Sequence, residues 1–515
     1  MNRQIFLTEL EKQAEWDVVI IGGGATGLGC AVDAASRGYK TLLLEQYDFA
    51  KGTSSKATKL VHGGVRYLAQ GNIKLVTEAL KERGILLRNA PHVCHTQNFI
   101  IANYSWWSKI YYGIGLKLYD LMAAKLSLGS TKIVSAGYVL QHLPCVKKQG
   151  LKGGVVYTDG QFDDARLAVN LAQTACAQGA TVINYCRVAE FIFTEGKITG
   201  VVAEDVLHKK QYHLKTKAVI NATGVFAAML MKAANDNSAS IAPSQGVHIV
   251  VDKKHFDGID ALMIPKTTDG RVLFAVPWHN KVIVGTTDTA VNNTTIEPTA
   301  TGEEVDFIIN NFNSYAAVPI TKNDVLSVFT GLRPLIKKEG VKGTAALNRH
   351  HAVFVSPSAL ITVTGGKWTT YRKMAEDAVD KAAEQLHNKK KSVTITLKIH
   401  GYTIENDISY LSVYGSDAAV IEKLWQGDER LKEKIHPAYP YTKAEVIFAV
   451  RNEMAQTLED VLARRIRLLF LDATAAIASA SITAMLMAQE MNKDEQWVQQ
   501  QVTDFTQLAK QYLLS

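Results

Sequence analysis

Four glycine-bearing segments carry the clearest chemistry in the sequence. The first is Gly22-x-Gly24-x-x-Gly27. It follows the apolar run Trp16–Ile21 and precedes Ala31, Ala34 and Ala35 at helical spacing. Glycines there allow a tight turn and let a pyrophosphate reach the backbone, where the free N–H groups of a helix N-terminus face it. Glu45 lies 18 positions beyond Gly27, at the end of the apolar run Thr41–Leu44, and is placed to accept from ribose hydroxyls. The second segment, Thr53-Ser-Ser-Lys-Ala-Thr-Lys-Leu-Val-His-Gly-Gly-Val-Arg-Tyr67, is dense in small hydroxyls. It can take a diphosphate and leave room for a flat ring beside Gly63 and Gly64. The third and fourth are Asn221-Ala-Thr-Gly224 and Thr364-Gly-Gly-Lys-Trp-Thr-Thr-Tyr371. NAD and FAD both use the first motif. Several glycine-bearing strand ends suit an extended dinucleotide, and the ring space points to FAD.

The elements that must hold these segments are legible in outline. Residues 16–45 read as a strand–helix–strand unit, with Arg37-Gly38 closing the helix. Asp164–Gln178 reads as a helix. Thr181–Tyr185, Val188–Phe193, Lys197–Asp205, Gln211–Lys215 and Ala218–Asn221 read as strands. From about 246 to 345 β-branched residues and turn signals predict an antiparallel sheet. Leu360–Val363 is a buried strand before a helix ending near Gln385. Beyond about 396 the pattern turns helical, clearest at Ala444–Val450, Leu458–Phe470 and Ile477–Met491. The expected fold class is α/β plus α: an FAD-type domain (1–90, 151–245, 346–395), an antiparallel-sheet substrate domain (91–150, 246–345) and a C-terminal helical domain (396–515).

Composition excludes several function classes. With 515 residues, 21% charged and 47% hydrophobic, the chain is neither disordered nor fibrous. The net charge of +8 is mild, and Lys389–Lys391 is the one dense basic run, so nucleic acid is not an expected partner. Five cysteines without a CxxC pair argue against a disulfide framework and a zinc site; no metal is expected. The first 17 residues carry Glu9, Glu11, Glu15 and Asp17 and no apolar core, unlike a secretory signal or an Arg-rich transit peptide. Ala473–Gln489 is polar enough to read as a buried helix.

Together the motifs resemble the D-amino-acid-oxidase-like FAD oxidoreductases, and within them the FAD-dependent glycerol-3-phosphate dehydrogenases. The residues that carry this are Thr53–Ser55 with Lys59–Tyr67, Tyr157 with Phe162–Leu167, Thr330–Leu335, Thr364–Arg372 and Asp460–Ala473. Val225 stands where that family usually has proline, Ala227-Ala228 replace more polar residues, and Asn348 replaces a common serine. The resemblance implies cofactor contacts from Gly22, Gly24, Gly27, Glu45, Thr53, Ser54, Ser55, Lys59, His62, Gly63, Gly64, Val188, Gly224, Gly366, Lys367 and Thr369.

It also assigns the substrate end. Arg66, Arg333, Arg349 and Lys367 sit at predicted loop or strand-end positions, as an anionic, phosphorylated substrate requires. Pro334 biases Arg333 toward extended backbone. Arg66, Tyr67, Arg349 and Lys367 are the expected substrate contacts, Arg333 the stabiliser of alkoxide charge and His248 the general base. His62 is placed against the cofactor, and His350 and His351 are left structural. The implied reaction is oxidation of sn-glycerol 3-phosphate to dihydroxyacetone phosphate, with electrons passed to a quinone. The alternatives are a 2-hydroxy-acid or amino-acid oxidase using oxygen, and a flavin-binding membrane adaptor without catalysis. The implied setting is cytoplasmic, peripheral on the inner face of the cell membrane, and leaves room for a homodimer. A candidate membrane contact is a helix in Tyr104–Lys125, with Trp107, Tyr111, Ile114, Leu118 and Leu121 on one face and Tyr112 and Leu116 opposite; the alternative is that this segment packs against the substrate domain as core.

Overall fold

A computed structural model describes residues 1–64, 72–123, 128–236, 240–336, 350–404 and 409–514. Continuous apolar runs make a parallel sheet buried on both faces. Its strands run in the order Ala352–Val355, Leu360–Thr364, Lys210–Asn221, Trp16–Ile21, Thr41–Leu44, Thr181–Ile183. All neighbours are parallel except the edge hairpin of Ala352–Val355 with Leu360–Thr364. Alternation along each strand sends side chains to two cores. Val18, Ile20 and Leu43 meet the helices Ala25–Ser36, Asp164–Ala177 and Tyr371–Gln385. Val19, Ile21, Leu42 and Leu44 meet the Cys186–Thr194 and Lys197–Asp205 strands and the first helix, Arg3–Lys12.

The sequence reads Gln211–Lys215 and Ala218–Asn221 as two strands; they are one, Lys210–Asn221. Its first half pairs antiparallel with Lys197–Asp205, and its second half, from Thr216, pairs parallel with Trp16–Ile21. The strand changes partners along its length without a break.

The second sheet is almost wholly antiparallel, as expected. Its spine is the pairing of Ile241–Asp252 with Val325–Ile336, extended through Lys281–Gly285, Leu273–Trp278 and Ala261–Ile264 to Cys94–Asn103 and Gly153–Phe162. A short parallel contact of Ala261 and Leu262 with Phe99 and Ile100 is the exception.

The C-terminal helices pack on the outer side of this sheet, where Val250, Trp278, Ile283 and Phe329 share a core with Leu462, Leu468 and Phe470. The predicted Leu458–Phe470 helix is interrupted. Arg467 has φ +64° and separates Asp460–Arg465 from Leu468–Leu471. The break turns its buried guanidinium inward, where it donates to the carbonyls of Ala463 and Ser55 and to Asp164. Close by, Asp48 receives Arg464 and Arg465 at 2.6 and 2.7 Å. Burial opposes ionisation of Asp48, but Arg465 and Arg464 outweigh it and hold the carboxyl well below its usual range. These buried pairs tie the C-terminal helices to the loop after Thr41–Leu44.

Candidate active site

Four parallel strands end at one groove of about 670 Å³. Gly22 and Gly24 lie beyond Trp16–Ile21, Glu45 beyond Thr41–Leu44, Thr223 and Gly224 beyond Lys210–Asn221, and Gly366 and Lys367 beyond Leu360–Thr364. Thr53, Ser54 and Val188 complete the walls. Gly24 caps Ala25–Ser36 with no side-chain bond. Glu45 is held in place, accepting from the N–H of Gly23 at 2.5 Å and of Tyr47 at 2.8 Å, while burial raises its pKa. The Ser54 hydroxyl oxygen accepts from the N–H of Ala25 at 2.9 Å.

A second cavity of about 300 Å³ adjoins the groove. Thr53, Lys56, Gly331, Pro334, Gly366, Lys367 and Trp368 line both and form the seam. His248, Arg333, Thr58, His62, Gly64 and Thr369 face this chamber, together with an apolar wall of Leu60, Phe99, Tyr157, Met263 and Phe274.

Two glycines make room for the functional side chains. His248 pairs with Gly285 across the sheet, and a Cβ there would lie 2.3 Å from the imidazole Cδ2. The Arg333 guanidinium lies over Gly246, where a Cβ would come within 2.4 Å of Nη2. Arg333 donates to the Gln245 carbonyl at 3.3 Å and to Thr286 Oγ1 at 3.0 Å, and its Nη1 is 3.6 Å from Asp288. The His248 ring is 2% exposed and stacks on Phe329 at 4.8 Å. Its Nε2 is 2.8 Å from Thr58 Oγ1. Burial, then the charges of Arg333 and Lys59, push this imidazole well below its ordinary pKa, so it stands neutral. A neutral imidazole beside a cation is what proton abstraction from an alcohol requires.

Several expected contacts fall elsewhere. Lys59 reaches neither cavity. It is fully buried, with Nζ 2.7 Å from both Asp164 and the Ser55 carbonyl, over the rings of Trp278, Phe329 and Phe470. Burial pulls this ammonium down to about 7 despite Asp164. Ser55 turns its carbonyl to Lys59 and Arg467, away from the groove. Gly27 serves the packing of helix on strand, since a Cβ there would lie 1.8 Å from the Gly22 carbonyl oxygen. Gly63 packs against Leu80 and donates its N–H to the Tyr119 hydroxyl at 2.7 Å. Arg66, Tyr67 and Arg349 lie outside the described residues. His351 pairs with Asp377 at 2.8 Å.

Three contributors escaped the sequence reading. Thr58 belongs to the hydroxyl-rich segment that suits a diphosphate, yet its Oγ1 faces His248 Nε2. Lys56, buried and 2.6 Å from Glu297, stands at the seam. Trp368 donates Nε1–H to the Ser54 carbonyl at 2.8 Å and walls both cavities. For Lys56 and Trp368 the signal is in the sequence, because they sit inside the second and fourth glycine-bearing segments.

A strand–glycine turn–helix groove opening into an antiparallel-sheet chamber defines an FAD-dependent oxidoreductase of the D-amino-acid-oxidase type. Residues 17–372 match the family described as FAD dependent oxidoreductase, and residues 359–498 match the C-terminal domain of alpha-glycerophosphate oxidase. The mitochondrial glycerol-3-phosphate dehydrogenase of Macaca fascicularis is 38% identical over 551 aligned residues, covering 99% of this chain and 75% of that protein. The Homo sapiens enzyme is also 38% identical, covering 97% and 74%. Among solved structures, the glycerol-3-phosphate dehydrogenase from Bacillus halodurans complexed with FAD superposes with a TM-score of 0.82 at 29% identity, covering 99% of this chain and 98% of that one. The chain belongs to the FAD-dependent glycerol-3-phosphate dehydrogenase family. FAD is its cofactor, and the residues present fit it. A carboxylate fixed at the second strand end, a helix N-terminus capped by glycine, and a groove that continues into the chamber suit ribose, diphosphate and ring in turn.

Proposed function

We propose that this enzyme oxidises sn-glycerol 3-phosphate to dihydroxyacetone phosphate in the chamber and passes the electrons to a quinone. The observation that carries the reading is a neutral, buried His248 and a cationic Arg333 in one chamber that opens onto the cofactor groove. His248 is the base for the C2 hydroxyl proton at Nε2, which Thr58 Oγ1 faces at 2.8 Å and which the substrate hydroxyl takes over from it. Arg333 stabilises the oxygen as it becomes an alkoxide, and its bonds to Gln245 and Thr286 keep it aimed without reorganisation. Lys367 at the seam attracts the phosphate and turns C2 toward the groove. A bound FAD would supply the two-electron acceptor for the C2 hydride. The loss of one proton and one hydride from the alcohol yields the ketone.

A quinone acceptor carries a setting with it: a peripheral enzyme on the inner face of the cell membrane. The test is a substrate panel under anaerobic conditions. Glycerol 3-phosphate should bleach the flavin at low concentration, whereas glycerol, lactate and D-alanine should not. Reduction by lactate or D-alanine would replace this reading with a 2-hydroxy-acid or amino-acid oxidase. Reoxidation of the bleached enzyme should be faster with a soluble quinone than with oxygen; the reverse would make it an oxidase.

A further inference from the structure

One wall of the cofactor groove is not a strand end. Thr294, Thr295, Ile296 and Pro298 line it from the segment between the Thr289–Ala290 strand and the Gly302–Asn313 helix. Thr294 and Thr295 are also exposed, so the segment stands between the groove and solvent. Its two ends are tied to the Ile241–Asp252 strand. The Val291 N–H donates to the Pro243 carbonyl at 3.2 Å, and the Thr299 carbonyl accepts from Gln245 Nε2 at 3.1 Å. In the middle, Ile296 rests against Gly52, where a Cβ would lie 3.6 Å from Ile296 Cδ1.

The remaining ties converge on Glu297, whose neighbours on both sides line the groove. Its Oε2 accepts from Lys56 Nζ at 2.6 Å and from the Tyr512 hydroxyl at 3.1 Å, and its Oε1 is 3.9 Å from Lys51 Nζ. Lys56 Nζ also donates to the Ile296 carbonyl at 3.1 Å. Among the described residues, Lys51, Lys56 and Tyr512 are the ones whose polar groups reach 294–298. They come from two places. Lys51 and Lys56 belong to the groove wall that follows Thr41–Leu44, whereas Tyr512 follows the helix Glu495–Lys510 at the C-terminal end of the fold. Tyr512 is itself fixed. Its ring meets Phe470 edge-on at 5.5 Å, and its carbonyl accepts from the Val328 N–H at 2.8 Å. Lys51 has a second carboxylate, Glu459, at 2.5 Å, so two ammonium groups face two carboxylates. The Lys56 side chain is 2% exposed. A pair buried to that degree is weakly screened, and loss of the carboxylate would leave a buried ammonium without a counter-charge.

We propose that Glu297 is a positioning residue for the cofactor: it fastens residues 294–298 along the FAD groove and, through Tyr512, makes retention of FAD depend on the C-terminal helices. A segment without regular structure must be held against its conformational entropy. Two charge-assisted hydrogen bonds to one carboxylate, with a second ammonium beside it, supply the hold. Unlike the strand ends on the other walls, this wall is held by side chains, so it opens locally while the sheet stays intact. The inference needs only the cofactor and is independent of the substrate and the electron acceptor.

The experiment follows FAD release from the diluted holoenzyme by the rise in free-flavin fluorescence. Glu297→Gln keeps the shape of the side chain and removes its charge. It should release FAD about 10–100-fold faster than the wild type, the scale of a lost hydrogen bond to a charged group. Tyr512→Phe, which removes only a hydroxyl, should raise the rate by about tenfold or less. The double variant should fall short of the product of the two single effects, because both act on one carboxylate. Hydrogen exchange locates the change. In the Glu297→Gln holoenzyme the amides of residues 292–297 should exchange faster, while those of Trp16–Ile21 keep their protection. Where Glu297→Gln does not fold, Tyr512→Phe decides by the same two readouts. Release at the wild-type rate would overturn the proposal, and so would slower release, which would mean that the freed lysines hold the diphosphate better than the segment holds the cofactor. Faster release with unchanged exchange at 292–297 would overturn it as well, since Glu297 would then act through the charge of the groove. Single effects that simply multiply would strike Tyr512, and with it the dependence on the C-terminal helices.

Discussion

The cofactor groove and the substrate chamber share a seam yet are built by opposite means. The groove is made of backbone: four parallel strand ends, a helix N-terminus and glycines at close approaches. The chamber is made of side chains brought from separate strands of an antiparallel sheet. His248 comes from Ile241–Asp252, Arg333 from Val325–Ile336, and Thr58 from the loop before Leu60–Val61. Damage to the groove should therefore cost cofactor and fold together. Damage to the chamber should leave a yellow, folded protein that reacts slowly.

The sharpest way to break this distinction is at Gly27. A methyl there would collide with the Gly22 carbonyl oxygen at 1.8 Å. Gly27→Ala should lose most of its FAD and about 3 kcal/mol of stability, read as flavin absorbance per protein and as the denaturant midpoint. A fully loaded, stable variant would mean that the helix need not approach the strand so closely.

The next effect belongs to Arg333. Arg333→Gln should keep its FAD and lower kcat about 10²–10³-fold, the scale for removing one preorganised donor, with a smaller change in KM. The same variant tests the electrostatics. His248 must be deprotonated to act, so activity is lost as pH falls through its pKa. Burial, Arg333 and Lys59 hold that pKa down. In the wild type the acid limb of kcat/KM should lie well below the ordinary imidazole value of about 6.5. In Arg333→Gln it should move upward, because one repelling charge is gone. An unmoved limb would show that another group titrates.

Smaller effects separate binding from alignment. Lys367→Ala should chiefly raise KM, since its attraction for phosphate is shared by ground and transition states. Thr58→Val should lower the rate of flavin reduction by about tenfold or less, the worth of one hydrogen bond, with FAD content unchanged. A loss at Thr58 as large as that at Arg333 would make the hydroxyl part of the proton transfer.

The same contrast explains what could be read from the sequence. Strand, turn and helix around Gly22–Gly27 are local, so the periodicity and spacing of some thirty residues disclose them. The direction of a side chain within a motif is not local. Lys59 sits in a hydroxyl-rich block that looks phosphate-binding, but its partner Asp164 lies 105 residues away and a third member, Arg467, comes from the C-terminal helices. Thr58 matters because of His248, 190 residues distant. The left-handed Arg467 that breaks the predicted Leu458–Phe470 helix is set by the same buried contacts. On the Trp106–Ala123 helix, Tyr112 and Leu116 look in sequence like flaws in an amphipathic pattern. In the fold they form, with Tyr119, the seam to the protein, while Trp106, Trp107, Tyr111, Ile114, Leu118 and Leu121 are exposed.

The central claim is that the chamber, through His248, performs alcohol oxidation on a cofactor bound independently in the groove. The most direct test is anaerobic rapid mixing of FAD-loaded wild type and His248→Ala with glycerol 3-phosphate, followed by flavin absorbance. The variant should carry a full complement of FAD and bleach about 10²–10⁴-fold more slowly, the usual scale of general-base catalysis. Bleaching at the wild-type rate would remove His248 from the reaction, and a wild type that does not bleach at all would contradict the account as a whole.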